Sequence, residues 1–390
     1  MSIIMFTVQQ INRFILSEYP RKFRALDVLP LDVANFVDSG KDASSYVLSL
    51  DNCRHWQVTT RVGLYCLRRW GNGMPGKNQL QFIQAVLWQA ECEGIEFIPL
   101  PVEASDHRGF VAFDGSYWEL LPWVGGFEEP PPIRTIGFEE EFSGDVSVTV
   151  EQYEDMAIQP YRIVSAMTSL AQFHVAVSTF PIADSPVGNS SRVKNMLLRW
   201  RSWVDGGFDS LYRAIRDKWS DSASELLINF AETGLRFQNN AVMYSGQMLS
   251  NLWRSSRLAV QVQPVIGNCC LRHLRFDYNG VSGMIDFKLV SVDSVVLDVA
   301  SLLGSMANPN TEGWNLGLRA YQRIRRLDDY EIFMLDSLYH SIILIEGLGY
   351  LSDFFLLGKP MNEYQIDKIT NRLEYWNLRM ETENYNRNSA

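Results

Sequence analysis

The sequence predicts an α+β protein with two lobes, a small one built on an antiparallel sheet and a large one that is mainly helical. Short runs of alternating apolar residues fall in the first third of the chain, and apolar residues at helical spacing dominate after residue 154. The chain has 390 residues and is 46% hydrophobic, which suffices for a large buried core or for two lobes that share a cleft.

The start of the small lobe is predicted from a change in periodicity. Apolar residues near helical spacing predict a leading helix over 7–23, ended by the Tyr19-Pro20 pair. The pattern then alternates, which predicts an antiparallel meander of three strands, at 46–50, 56–60 and 64–70.

A helix and a second hairpin complete the predicted small lobe. Residues 80–93 have one apolar face, and Gly94 follows them as a cap. The run 97–102 predicts an edge strand, because its prolines cannot donate to a ladder. The dipeptide Asp114-Gly115 between two apolar runs predicts a hairpin over 109–123.

The remainder of the chain is predicted to be helical after an acidic, proline-containing loop over 125–154. The predicted helices cover 161–179, 193–203, 212–240, 297–306 and, with short breaks, 313–380. We therefore expect a single domain in which 1–45 is a helical extension, 46–122 is the small lobe and 123–390 is the large lobe.

Composition limits the classes of partner and the compartment. A net charge of -10 argues against nucleic acid or an anionic membrane as the main partner, since both require a basic surface. The longest apolar stretch, Ile342–Leu357, contains Glu346 and Asp353, and therefore predicts a buried helix and not a membrane span. Five cysteines without framework spacing and an N-terminus unlike a secretory signal predict a cytoplasmic protein.

The segment from Val265 to Phe287 carries the most informative motif. It predicts a short loop, a strand, a tight turn at Asn279-Gly280 and a second strand over 281–287. Asp286 interrupts the apolar pattern of that second strand. A carboxylate in such a run is costly unless it contacts a cation or a hydrogen-bond donor, so it marks a candidate site.

This layout resembles the catalytic loop and metal-binding strand of the aminoglycoside phosphotransferases and their choline-kinase-like relatives. In that family His-Gly-Asp is followed after four residues by Asn, and then by a hairpin that ends in Ile-Asp-Phe. Here Gly267 is kept, Asn268 stands at the Asp position, His273 stands at the Asn position, and Ile285-Asp286-Phe287 is intact. The resemblance covers about residues 45–310 and implies a two-lobed, protein-kinase-like fold with a nucleotide cleft between the lobes.

The resemblance implies that Asp286 and His273 occupy the two metal-ligand positions. Asp286 lies 18 residues after Asn268, as in the family, and a carboxylate suits Mg²⁺. The alternative for Asp286 is a strand-end aspartate that caps a turn. Imidazole nitrogen is a poorer ligand for Mg²⁺ than amide oxygen, so His273 is either a ligand or a histidine hydrogen-bonded within its loop.

Asn268 is the main departure from the family pattern. The aspartate at this position in the family orients and deprotonates the acceptor hydroxyl, whereas an amide can hydrogen-bond to a hydroxyl but cannot accept its proton. Loss of a general base typically lowers the rate by a factor on the order of 10²–10⁴.

Two further departures concern the phosphates. Arg68 takes the place of the strand lysine that contacts them, and Gln84 takes that of the helix glutamate that pairs with this lysine, so we expect the ion pair to be absent or neutralised. The alternative for Arg68 is an exposed strand arginine. The predicted phosphate-covering turn, Leu50–Trp56, contains no glycine, which hinders close approach of its backbone to phosphate, and Asp51 would repel it.

Two functional hypotheses follow. In the first, the protein is an ATP-dependent small-molecule phosphotransferase, with Arg68 on phosphate, Asp286 and His273 on Mg²⁺, and Asn268 positioning the acceptor. In the second, it is a pseudokinase that binds a ligand or a protein partner through the same cleft, with ATP and Mg²⁺ bound weakly or not at all. Departures at four separate points favour impaired transfer. The sequence does not identify the acceptor or the partner.

Overall fold

The computed structural model describes residues 7–31, 54–71, 75–126, 160–182, 185–218, 224–306 and 312–389. The chain forms two compact units, each assembled from separate segments. Unit 1 comprises Met1–Glu140, Thr168–Phe180 and Ile266–Ser291, and unit 2 comprises Glu141–Met167, Pro181–Val265 and Val292–Ala390. The α+β class is confirmed, since unit 1 contains a small antiparallel sheet and unit 2 is mainly helical.

The sheet of unit 1 has five strands, paired antiparallel in the order β1-β2-β3-β5-β4. Its strands are Ala25–Pro30 (β1), Arg54–Thr60 (β2), Gly63–Arg69 (β3), Val111–Phe113 (β4) and Ser116–Pro122 (β5). The turn between β4 and β5 is the predicted Asp114-Gly115, where positive φ angles of 52° and 66° give the twist that a two-residue hairpin favours.

The first strand lies after the predicted leading helix, inside the segment 1–45 that was assigned to a helical extension. β1 pairs with β2 from Ala25–Thr60 to Pro30–Trp56, although residues 1–45 were interpreted as a helical extension. Its side chains give little alternation, because Leu26 is 59% exposed and Leu29 is 38% exposed, so backbone pairing at the sheet edge defines this strand. The predicted strand at 46–50 lies outside the described residues.

Two other predictions for this part of the chain need correction. The predicted helix over 7–23 is a short α-helix, Val8–Phe14 (α1), followed by 3₁₀ turns at Leu16–Glu18 and Arg21–Phe23. The run 97–102 is not a strand, since its prolines leave it with isolated backbone bonds such as Val102 N–H to Leu120 O, 2.8 Å.

The core of unit 1 lies between α1 and one face of the sheet. Ile11 of α1 and Ile15, which follows that helix, are fully buried in one apolar cluster with Trp56 and Trp118, whose rings stack 5.3 Å apart. The next helix is Lys77–Cys92 (α2), with Leu80 buried beside Phe110. As predicted, Gly94 follows α2 with a positive φ, 87°.

Helices account for most of unit 2, and most of them begin and end within a few residues of the predicted positions, whereas the helix predicted to end at 240 ends at Ser255. They are Pro160–Ala176 (α3, which continues into unit 1), Ser191–Ser202 (α4), Phe208–Lys218 (α5), Glu225–Ser255 (α6), Val296–Gly304 (α7), Glu312–Gln322 (α8), Asp329–Leu351 (α9) and Glu363–Ser389 (α10). The single helix predicted over 212–240 is two helices, α5 and α6, and Ser224 caps the second by accepting a hydrogen bond from Leu227 N–H.

Six short strands complete the described structure. They are Val187–Gly188 (β6), Val260–Gln261 (β7), Gln263–Val265 (β8), Leu274–Asp277 (β9), Gly280–Met284 (β10) and Ser291–Asp293 (β11). They pair as β6 with β7, β8 with β11, and β9 with β10.

Among the described residues, the helical stretch Asp329–Leu356 has the length and mean hydropathy of a candidate membrane span. Within its apolar 18-residue window, 56% is buried inside the structure. Gly347 of α9 contacts Phe237 of α6 and Leu373 of α10, and an added Cβ there would lie 2.3 Å from the Phe237 ring. This packing agrees with the predicted buried helix.

Candidate functional site

A pocket of about 370 Å³ lies within unit 1, between the sheet and the segment that follows the β9–β10 hairpin. Most of its wall is apolar or aromatic. This part of the wall comprises Leu31, Cys66, Trp70, Leu87, Pro99, Leu121, Pro122, Trp123, Val124, Ile285 and Phe287. The titratable part comprises His55, Arg68, His273, Arg275, Asp286 and Lys288. An apolar wall with a few convergent charged groups is typical of a small-molecule site.

The sequence-predicted residues divide into two groups. Arg68, His273 and Asp286 line the pocket, although up to 218 residues separate them in the chain. Gln84 contacts the site through Glu119, and Asn268 contacts it through His273. Of the predicted phosphate-covering turn, Arg54–Trp56 belong to β2, and residues 50–53 lie outside the described part of the chain.

Gly267 fixes the start of the candidate catalytic loop. Its φ is 88°, and an added Cβ would lie 2.2 Å from the Leu289 carbonyl oxygen. Only glycine fits this combination of backbone conformation and close approach. The loop therefore folds back against residue 289, which brings Asn268 and the chain around Asp286 into one region of unit 1.

The hairpin forms as predicted, but its second strand ends early. β9 and β10 pair from Gly280–Asp277 to Met284–Leu274, and Asp286 was predicted inside the second strand. Asp286 instead has φ 68°, which cannot continue a strand. Ile285 N–H donates to His273 O at 2.8 Å, so the residue before Asp286 is tied to the catalytic loop.

Asp286 occupies a conformation that costs an L-residue on the order of 1–3 kcal/mol. Next to it, Phe287 is buried and its ring centroid lies 5.9 Å from that of Phe173. This packing holds the segment in place, so the side chain of Asp286 reaches the pocket wall.

His273 links the loop to Asp286. Its Nδ1 lies 2.9 Å from the carbonyl oxygen of Asn268, and since a carbonyl only accepts, Nδ1 carries the hydrogen. Nε2 then holds the lone pair, accepts from Arg272 Nε at 3.3 Å, and lies 3.4 Å from Asp286 Oδ2. Burial lowers the pKa of His273, and the Asn268 hydrogen bond and the Asp286 carboxylate offset part of that effect.

The groups around Asp286 include a single carboxylate and a competing cation. Lys288 Nζ lies 3.3 Å from the same Oδ2 that faces His273, so a cation already contacts the carboxylate. Among the described residues, no group of three or more His, Cys, Asp and Glu side chains is arranged to hold a metal. Mg²⁺ at phosphate sites binds one or two protein carboxylates and completes its octahedral shell with water and phosphate oxygens, so Asp286 is the group here that would hold it, in competition with Lys288.

The ion-pair partner of Arg68 is Glu119 on a neighbouring strand, and not a residue at the helix position occupied by Gln84. Its Nε and Nη2 donate to Glu119 Oε2 at 3.1 and 2.6 Å, across the pairing of β3 with β5. Trp70 Nε1 donates to the same oxygen at 2.6 Å, and Gln84 Nε2 donates to Oε1 at 2.6 Å. Arg68 therefore pairs with a carboxylate of the neighbouring strand, and Gln84, at the helix position, contacts the same carboxylate and not Arg68.

The Glu119 cluster neutralises Arg68 within the sheet. Glu119 is 1% exposed and Arg68 is 7% exposed, so the pair is held in a region of low dielectric constant. The arginine plane also lies over the Trp70 ring, 4.0 Å from its centroid. These contacts fix the guanidinium at the pocket wall with its charge balanced by a buried carboxylate.

Cys66 and Asn268 are two further residues at the site. Burial raises the pKa of the Cys66 thiol to about 11, so it is protonated at neutral pH and is a weak nucleophile. Asn268 is partly buried, and among the described residues its side-chain amide has no hydrogen-bond partner, while its carbonyl accepts from His273.

Sequence reasoning missed Glu119 and Lys288. Glu119 stands in the otherwise apolar run Tyr117–Trp123, and a charged residue there was a signal of a buried pair. Lys288 lies two residues after Asp286. Outside a helix or a strand, this spacing does not predict whether two side chains contact each other. In the structure, Asp286 has a φ of 68° and its Oδ2 lies 3.3 Å from Lys288 Nζ.

No protein-family model and no curated protein matches this chain. Solved structures do match it. An aminoglycoside phosphotransferase from Alicyclobacillus acidocaldarius is 13% identical, with a TM-score of 0.55, over 98% of this chain and 97% of that one. A spectinomycin phosphotransferase is 11% identical, with a TM-score of 0.59, over 95% and 94% of the two chains.

An amicoumacin kinase is 9% identical, with a TM-score of 0.50, over 86% of this chain and 89% of that one. These likenesses extend over nearly the whole chain, at identities that carry information on the fold alone. Together with the motif from Gly267 to Phe287, they show that this chain has the fold of the aminoglycoside phosphotransferases and related small-molecule kinases.

Proposed function

We propose that this protein is a pseudokinase of the phosphotransferase fold, which binds a nucleotide in the pocket of unit 1 and transfers its phosphoryl group slowly or not at all. Two solved spectinomycin phosphotransferase structures contain nucleotides, one ADP with spectinomycin and the other AMP. The apolar wall from Leu121 to Val124 offers a surface on which a planar base would pack. The cytoplasm, which supplies nucleotides, is the location that we propose.

One observation carries the proposal. Among the described residues that line the pocket, Asp286 is the single carboxylate, and the ammonium of Lys288 lies 3.3 Å from its Oδ2. Phosphoryl transfer in this fold uses one acidic group to orient the acceptor and another to hold metal against the phosphates. Asn268 stands at the position of the group that orients the acceptor. No carboxylate of the described pocket wall is therefore left to orient the acceptor hydroxyl.

The second candidate is ATP-dependent phosphoryl transfer to a small molecule. It is favoured by the loop from Gly267 to Phe287, which keeps the spacing of the family motif and folds as its hairpin. Asn268 would then position the acceptor hydroxyl by hydrogen bonding. The rate would lack the contribution of a general base, on the order of 10²–10⁴.

Nucleotide binding and turnover separate the two candidates. We expect ADP at 100 times its Kd to stabilise the full chain by about 2.7 kcal/mol, measured as a thermal shift. We expect ³¹P NMR to detect no ATP consumption by the wild type with Mg²⁺ or Mn²⁺. Asn268→Asp restores an acid at the catalytic position and is expected to introduce measurable ATP hydrolysis.

Asn279→Asp is the matched control, since it adds the same charge to the exposed turn of the same hairpin. It should leave ATP unconsumed. The proposal is wrong if the wild type consumes ATP at rates typical of kinases, which would support the second candidate. It is also wrong if ADP does not stabilise the protein.

A further inference from the structure

We propose that an open groove of unit 2, between α4 and the C-terminal end of α6, is a docking surface for a short acidic segment of a partner protein. The groove has a volume of about 590 Å³. Its lining residues come from α4, the turn that follows it, and α6: Leu197, Arg201, Asp205, Leu249, Ser250 and Trp253. None of them lines the pocket of unit 1, so the groove is independent of the proposed nucleotide binding.

The two segments that form the groove are basic, although the net charge of the whole chain is -10. Residues 185–202 and 241–265 contain no aspartate or glutamate, and their cations are Arg192, Lys194, Arg199, Arg201, Arg254 and Arg257. Arg192 lies 3.8 Å from the buried Asp298, and the other five cations are exposed. Among the described lining residues, Asp205 is the single carboxylate. A local excess of positive charge of this kind attracts an anionic partner.

The antiparallel packing of α4 and α6 arranges the cations along the groove. Trp200 Nε1 donates to Ser245 O at 3.3 Å, and the chain before α4 pairs with the chain after α6 through β6 and β7. This register places Lys194 opposite the part of α6 that carries Trp253. Lys194 and Arg201 are two turns apart on α4, so they share one face of that helix. The basic side chains of α4 therefore follow the length of the groove.

The indole of Trp253 gives the groove an apolar anchor point. Trp253 is 42% exposed, and the guanidinium carbon of Arg257 lies 3.9 Å from its ring centroid, which holds a cation beside the indole. Leu198 of α4 is 61% exposed, whereas Leu197 is buried at the base of the groove. Exposed tryptophan and arginine side chains together are typical of the residues that dominate the energy of protein interfaces. The surface therefore combines positive charge with an apolar contact.

The chemistry of the groove fits a peptide better than a nucleic acid. Proteins that bind single-stranded nucleic acid use several aromatic side chains on which successive bases stack. Among the described residues that line this groove, Trp253 is the one aromatic residue. Asp205 would repel an uninterrupted run of phosphates, whereas an acidic peptide can place carboxylates against the cations and an apolar side chain between α4 and α6.

The test measures binding of a fluorescein-labelled peptide, in which glutamates flank a single leucine, to the full chain by fluorescence anisotropy. We expect saturable binding that weakens as the NaCl concentration is raised, because salt screens exposed charges. The same peptide with glutamine in place of each glutamate should bind at least about tenfold more weakly. Absence of saturable binding by the acidic peptide, or equal binding of the two peptides, would overturn the proposal.

Variants of the full chain locate the bound peptide. Arg201→Glu and Trp253→Ala should each raise the Kd by about tenfold or more. Arg323→Glu is the matched control, since it makes the same charge change at an exposed arginine outside the groove, and it should leave the Kd nearly unchanged. All three side chains are exposed, so the melting temperature should not change. An equal loss of binding in Arg323→Glu would show that net charge and not this groove governs binding, and the proposal would fail.

Two further outcomes would assign the groove to a different occupant. Tighter binding of a single-stranded oligothymidylate than of the acidic peptide, lost in Arg201→Glu, would identify a nucleic-acid surface. A dimer of the wild type in analytical ultracentrifugation that Trp253→Ala dissociates would identify a second copy of the chain as the occupant. Either result would overturn the assignment to an acidic segment of a partner protein.

Discussion

At the scale of single residues, the carboxylate of Glu119 determines the state of the pocket wall. It accepts hydrogen bonds from Arg68, Trp70 and Gln84, which come from β3, the end of that strand and α2. Charge-assisted bonds of this length are among the stronger ones in proteins. Removal of one partner is costly because the other charge is left buried and unpaired.

We expect Glu119→Gln to lower the free energy of unfolding by about 3 kcal/mol, since it leaves the Arg68 guanidinium without a balancing charge. Arg68→Met in the Glu119→Gln background should recover part of that loss, because it removes the unpaired charge. Urea denaturation of both variants measures the coupling.

Glu103→Gln is the control for this prediction. Glu103 is 59% exposed and lies 3.6 Å from His107, so its replacement should change stability by no more than about 0.5 kcal/mol. Equal stability of Glu119→Gln and the wild type would show that the buried pair contributes nothing.

At the scale of elements, the loop between β8 and β9 is shaped by one glycine. Gly267 combines a φ of 88° with a close approach to the backbone of residue 289, and the sequence motif alone located it. The hairpin after it was also predicted, since Asn279-Gly280 is a local signal. The early end of β10 was not, because the backbone reversal at Asp286 depends on contacts outside the hairpin.

Gly267→Ala should destabilise the protein by at least about 2 kcal/mol, since it adds both backbone strain and a clash with the Leu289 carbonyl. Gly246→Ala in α6 is the matched control. An added Cβ at residue 246 meets nothing within 4 Å, so alanine should raise stability by about 0.5–1 kcal/mol through its helix propensity. Thermal melting of both variants provides the measurement, and equal effects would contradict the assigned role of Gly267.

At the scale of the whole molecule, the pocket is formed by unit 1, although its residues come from distant parts of the chain. The lining residues run in sequence from Leu31 to Lys288. Unit 1 includes Ile266–Ser291, a segment separated in the chain from the other parts of the unit. Local sequence patterns located the two halves of the site separately, and the family resemblance implied that both halves face one cleft. Their assembly results from long-range packing.

Hydrogen exchange with and without ADP tests this assignment. We expect protection in β3, in 117–124 and in 285–290, because these segments of unit 1 contribute the pocket wall. The amides of α9 in unit 2, which contributes no residue to that wall, are the internal control. Protection concentrated in α9 would place the ligand elsewhere.

The sequence by itself determined the fold class, most helices, both hairpins and the motif that identifies the fold. These follow from local rules: periodicity, turn-forming dipeptides and the spacing from Gly267 to Phe287. The tertiary structure decided which charges meet. Arg68 pairs with Glu119 on a neighbouring strand, and the left-handed backbone of Asp286 turns its carboxylate towards Lys288 and His273. These pairings depend on the pairing of β3 with β5 and on the backbone conformation at Asp286, which periodicity and spacing do not encode.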